Sequence, residues 1–153
     1  MPDKGRPGAT IRGIRNEDLN ALTWRDASFN FVLSFDVLEH VENAHTCLKE
    51  VLRCLKPGGT FLFTAPFRVE SSETLIRARR DPGGGRLVHL LPPEYHGGNL
   101  VDPTQGTLCF RHFGWDILAQ MQAVGFTETE VWLYWSRELT YMGGLQSLVV
   151  GRK

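Results

Sequence analysis

The sequence predicts an α/β domain with a mostly parallel sheet, and three observations carry that prediction. Two short apolar runs, Phe29 to Phe35 and Thr60 to Phe67, have the length and the β-branched and aromatic content of strands buried on both faces. Between them Leu48, Val51, Leu52 and Leu55 recur at i, i+3, i+4 and i+7, the stripe of an amphipathic helix. That helix has a start signal at Asn43 and a stop signal in Lys56-Pro57-Gly58-Gly59, a cation followed by a breaker and two permissive glycines. Strand, crossover helix and strand make a βαβ unit, right-handed by the usual steric rule.

A chain of 153 residues suits one domain, 1–153, with a core of useful size. Lys and Arg number 17 and Asp and Glu 17, so the net charge is zero. That balance excludes an electrostatic nucleic-acid binder and a polybasic membrane anchor. No apolar run approaches the roughly 20 residues that span a bilayer, and Met1 to Gly8 lacks the apolar core of a signal peptide. The expectation is a cytoplasmic protein with no membrane and no nucleic-acid partner. Cys47, Cys54 and Cys109 are odd in number, and the first two lie seven apart on one helix, too far to pair within it. Reduced, buried thiols follow.

Residues 1–9, rich in Pro, Gly and charge, read as a flexible lead-in. Thr10 to Ile14 is a short strand candidate, followed by a polar loop in which Asp18 can cap a turn. Ser34-Phe35-Asp36 falls at the carboxyl end of the first long strand, where open α/β sheets bind their ligands. Glu39 and His40 follow one turn later. His40 can orient a substrate or take a proton near neutral pH; the competing reading has Glu39-His40 bracing the next helix.

Residues 68–108 are the variable part, expected to be irregular, and read as a lid or substrate loop. The charged, glycine-rich Arg77 to Arg86 does not join a strand to a helix, as a phosphate cradle must. His89, Tyr95 and His96, with His112 just beyond the lid, are the candidates for touching substrate. The spacing of His89, Glu94, His96, Cys109 and His112 matches no compact zinc signature, so no metal is expected. Beyond the lid, Trp115, Ile117, Leu118, Met121 and Val124 predict a helix ended by Gly125. Glu130 to Trp135 and Ser147 to Val150 predict two closing strands.

Five pieces in one order carry a resemblance: Phe29-Asn30-Phe31-Val32, Asp36-Val37-Leu38-Glu39-His40-Val41, Glu50 with Arg53, Leu55-Lys56-Pro57-Gly58-Gly59, and Thr64-Ala65-Pro66. Together they resemble the C-terminal part of a class I S-adenosylmethionine-dependent methyltransferase of type 11, firmly over residues 14–67. Asn30 departs from the Asp usual in that family, at a position that opens a strand. The resemblance implies a Rossmann-like three-layer sandwich, truncated, with the sheet in the family's order 4-5-7-6 and an antiparallel last strand. It implies S-adenosylmethionine as cofactor. By the same resemblance Asp18 accepts from the adenine amino group, Leu19 packs on the ring, Ser34, Phe35 and Asp36 line the methionine end, and His40 is the catalytic candidate.

The family's glycine-rich turn is missing, since Gly5, Gly8 and Gly13 follow no apolar strand. The cofactor site is therefore expected to be incomplete in this chain. Strand 29–35 is expected to be an open apolar edge that seeks a homodimer partner or a folded-back N-terminal segment. Methyl transfer to a small-molecule or glycan-like acceptor is the implied function. The alternative is a catalytically inactive methyltransferase-like interaction module.

Overall fold

The computed structural model describes residues 5–81, 85–97, 106–141 and 143–153. The start of the expected lead-in, the tip of the glycine-rich loop and residues 98–105 of the lid lie outside the described residues. The chain opens with a hairpin, β1 (Thr10–Ile11) against β2 (Ile14–Arg15). Its two central residues, Arg12 and Gly13, have φ of 50° and 81°, the positive pair that suits a tight antiparallel turn. The expected single strand over Thr10 to Ile14 is thus folded in two.

β3 (Phe29–Phe35) leads through a 3-10 turn (Leu38–His40) to α1 (Ala44–Cys54), which returns into β4 (Leu55–Thr64). Asn43 caps α1 as expected, its side chain accepting from the Thr46 amide at 3.0 Å. At the other end the helix carbonyls are satisfied by Lys153, whose Nζ donates to the carbonyls of Leu52 and Leu55 at 2.7 and 2.8 Å. The nearer Lys56 stays exposed. Glu50 and Arg53 lie on the outer side of α1 and hold the preceding loop. The Arg53 guanidinium donates to the carbonyls of Leu22 and Trp24 and to the Asp26 carboxylate, and Glu50 accepts from the Leu22 amide.

The segment after β4 was expected to be irregular and is instead stitched into short antiparallel ladders. These are β5 (Leu75–Ile76), β6 (Ala78–Arg80), β7 (Leu87–His89), β8 (Tyr95–His96), β9 (Thr107–Leu108) and β10 (Arg111–His112). β5 pairs with β10, β6 with β7, and β8 with β9. α2 (Asp116–Val124) ends at Gly125, which takes φ 118°; β11 (Glu128–Tyr134) and β12 (Gln146–Arg152) close the chain.

The main sheet runs β11-β12-β4-β3. β3 and β4 are parallel, with Val32 opposite Phe61 and Leu33 opposite Leu62, and β12 is antiparallel to both of its neighbours. Val32 and Leu62 therefore sit on adjacent, co-directional strands, as the βαβ reading requires.

The expected third layer is absent among the described residues. Both helices pack on one face, where Leu48 and Val51 of α1 and Ile117 and Met121 of α2 meet Phe61, Phe63 and Val149 of the sheet. On the other face Phe31, Leu33 and Phe35 are 69%, 59% and 56% exposed, with Trp132 at 48%. β3 is therefore not buried on both faces. The reason is local: the described chain supplies two helices, both needed over the Phe61–Phe63 side, and the segment that follows β4 folds into ladders instead of a further helix.

Candidate functional site

The carboxyl ends of β3 and β4 open into a cleft of about 650 Å3, lined by Phe35, Asp36, Glu39, Thr64, Glu94, His96 and Tyr134 among others. Its floor is a clasp between the two parallel strands. The Asp36 amide donates to the Thr64 carbonyl at 3.1 Å, and the Thr64 hydroxyl donates to Asp36 Oδ1 at 3.0 Å. Asp36 makes this clasp at φ 52°, a left-handed backbone that Asp tolerates better than most residues. Strain of this kind concentrates where a chain must turn sharply beside a ligand.

Glu39 projects into the cleft from the 3-10 turn. It is fully buried, and neither carboxylate oxygen has a hydrogen-bond partner. Burial pushes its carboxyl above the ordinary value, against the pull of its own backbone amide and of His40 and His96. His40 sits behind it. Its Nδ1 lies 2.8 Å from the Leu108 carbonyl oxygen and its Nε2 lies 3.6 Å from Glu39 Oε1. The His40 and His96 rings face each other with centroids 4.6 Å apart.

A second carboxylate lines the same cleft on different terms. Glu94 accepts from His112 Nε2 at 2.9 Å and pairs with Arg77 at 3.1 Å. The hydrogen bond from His112, and then the nearby His112 and Arg77 charges, hold its carboxyl below the ordinary range despite some burial.

Comparison with known proteins shows what the chain is similar to. Residues 4–63 match the family described as "Methyltransferase domain". The chain is 32% identical, over 124 residues, to the "Probable S-adenosylmethionine-dependent methyltransferase" of Mycolicibacterium smegmatis, covering 71% of this chain and 46% of that protein. It is 32% identical over 95 residues to the "Ubiquinone biosynthesis O-methyltransferase" of Maricaulis maris, covering 61% of this chain and 36% of that one. An S-adenosylmethionine dependent methyltransferase from Mesorhizobium loti superposes with a TM-score of 0.55 at 19% identity, over 97% of this chain and 74% of its own. Residues 4–63 are thus similar to a methyltransferase domain, and the fold resembles that of S-adenosylmethionine-dependent methyltransferases. It spans about half, or less, of the length of these curated relatives.

Against that methyltransferase frame the residues singled out from the sequence fall into three groups. Phe35, Asp36 and His96 line the cleft, and Ser34 adjoins them on β3. His40 and His112 stand one layer back, each bonded to a neighbour. The others are not among the lining residues: Asp18 caps a turn through Oδ1 to the Asn20 amide at 2.8 Å, Leu19 packs against the core, and His89 and Tyr95 are exposed on the ladders. Sequence reasoning passed over Glu39 in favour of its neighbour His40. The usable signal was its place three residues after Asp36, one turn on from the strand end.

Proposed function

We propose that this chain forms the acceptor side, and the methionine end of the donor side, of an S-adenosylmethionine-dependent methyltransferase acting on a small-molecule or glycan-like acceptor. The observation that supports this reading is the cleft at the strand ends, closed below by the Asp36–Thr64 clasp and flanked by Phe35 and Glu39. The family resemblance in residues 4–63 adds to it, as does the small-molecule acceptor named for the Maricaulis relative. When bound, S-adenosylmethionine supplies an electrophilic methyl group on a sulfonium.

In this reading Ser34, Phe35 and Asp36 flank the donor's amino-acid end. Asp18 keeps its adenine role through Oδ2, since Oδ1 is engaged with Asn20, and Leu19 stacks beside it. His96 and Glu39 face the acceptor. His40 serves catalysis by orientation, because methyl transfer depends above all on alignment of the attacking atom with the methyl group. His89, Tyr95 and His112 belong to the cover over the acceptor. No glycine-rich turn follows an apolar strand in these 153 residues, so they supply only part of the donor site.

The open strand β3, with Phe31, Leu33 and Phe35 exposed beside it, supports a homodimer paired through that edge. Cytoplasm is the compartment that fits three unpaired buried thiols. Calorimetry and thermal melting with S-adenosylhomocysteine test the reading, because a ligand bound to the fold must stabilise it. Heat and a raised Tm are expected; neither appearing at millimolar ligand would overturn the reading that these residues hold the donor and favour the non-catalytic alternative. Solution scattering tests the dimer, and a monomer at all concentrations would remove it.

A further inference from the structure

We propose that Glu39, His40 and His96 form a binding site for one divalent transition-metal ion at the edge of the cleft. The three side chains offer ligand atoms that all lie within 4.8 Å of one another. They come from separate elements, the 3-10 turn and β8, which the Leu108 carbonyl bond and the β8–β9 ladder bring together.

The chemistry of the atoms, more than their proximity, argues for an ion. A carbonyl oxygen only accepts, so the His40 Nδ1 facing Leu108 carries the ring proton and Nε2 presents a lone pair. A backbone carbonyl holding the far nitrogen is the usual outer support of a metal-bound imidazole. Both Glu39 oxygens and His96 Nε2 are buried without hydrogen-bond partners, the nearest carboxylate oxygen to His96 Nε2 across the cleft being Glu94 Oε1 at 3.9 Å. The Glu39 carboxylate and the His40 Nε2 lone pair are thus acceptors turned toward one another, and His96 presents a ring nitrogen beside them.

A shared proton would not join them, because 3.6 Å between Glu39 Oε1 and His40 Nε2 exceeds hydrogen-bond reach. An ion bound at about 2.0–2.2 Å from each ligand spans separations of about 3–4.4 Å; Glu39 Oε1 and His40 Nε2 lie 3.6 Å apart, and all the ligand atoms lie within 4.8 Å of one another. Two imidazoles and a carboxylate suit zinc, iron(II), cobalt or manganese better than magnesium or calcium. Three protein ligands leave a coordination position open, and because Glu39 and His96 line the cleft it faces the acceptor space. There an acceptor hydroxyl or amine would lose its proton more easily; this last role rests on the methyl-transfer reading, whereas the binding of the ion does not.

The other candidate group, Glu94, Cys109 and His112, makes a useful contrast. Glu94 is bonded to His112 and Arg77, and the Cys109 thiol donates to the Arg111 carbonyl at 3.2 Å. Nothing there is left for an ion.

The experiment titrates the chelator-treated full chain with zinc by calorimetry, alongside Glu39→Gln and His96→Asn. One ion per chain is expected, with affinity lowered at least tenfold in each variant. Cobalt in place of zinc is expected to show visible bands without thiolate-to-metal charge transfer. No zinc uptake by the parent chain, unchanged affinity in Glu39→Gln, or a thiolate band that moves the ion to Cys109 would each overturn the proposal. Glu39→Gln is the decisive variant, since it keeps the side chain's shape and removes a carboxyl that makes no hydrogen bond holding the fold. Binding of S-adenosylhomocysteine, measured separately, tells a failure of this site from a failure of the methyltransferase reading.

Discussion

Glu39 and Glu94 line one cleft on either side of His96, yet they are opposite kinds of carboxylate. Glu94 has its donors: His112 and Arg77 satisfy it, and its carboxyl is held below the ordinary range. Glu39 is wholly enclosed, has no side-chain donor in hydrogen-bond reach, and is pushed the other way by burial. The first belongs to the scaffold, because its bonds tie the β8 ladder to β10. The second weakens the fold, and a buried acceptor without a donor is the mark of a group kept for something the folded chain does not itself provide.

The comparison can be broken by substitutions of opposite expected sign. Glu39→Gln removes a buried carboxyl that no hydrogen-bond donor side chain satisfies, so metal-free protein should gain about 1 kcal/mol, read as a Tm a few degrees higher. A loss of stability would mean that Glu39 has a donor after all. Glu94→Gln weakens the bonds to His112 and Arg77 and should cost about 1 kcal/mol in urea unfolding; a neutral result would make the two carboxylates alike.

A third carboxylate sharpens the scale. Glu17 lies away from the cleft, where desolvation pushes its pKa up. Bonds from the Thr23 hydroxyl and amide and from Arg15 outweigh that and bring it from 4.5 to about 2. A depressed carboxyl contributes stability that is complete above pH 4.5 and lost as the pH falls toward about 2. Screening near the surface keeps that contribution near 0.5 kcal/mol. Glu17→Gln should therefore flatten the stability curve between those two pH values and nowhere else. A curve unchanged across that window would show the Thr23 and Arg15 contacts to be inert.

Much of this arrangement was legible in the sequence wherever long periodic signals exist. The α1 stripe, the Asn43 cap, the β3–α1–β4 unit and the stop at Gly125 all rest on patterns several residues long. The ladders between Leu75 and His112 were not legible, because strands of two or three residues have no period to read. Nor was the bare face of β3. Phe31, Leu33 and Phe35 are as apolar as the covered side, and composition does not tell an occupied face from an open one.

The choice between Glu39 and His40 was out of reach for a related reason. Adjacent residues on a 3-10 turn point about 120° apart, and only the turn's orientation decides which enters the cleft. The capping lysine was missed as well, since Lys153 reaches α1 only after β12 has brought the chain back beside β4.

One consequence follows from Gly151, on β12 opposite Phe61. A methyl group there would collide with the Met121 side chain and come within 2.8 Å of the Phe126 ring. Met121 of helix α2 and Phe126 just beyond it thus pack where a side chain at this position would sit. Alanine at this point would act as a wedge, and because β12 lies between β4 and β11 the push would reach both neighbours at once. Tyr134, at the end of β11, would shift with them, so a residue remote from the chemistry acts as the spacer that sets the cleft's width.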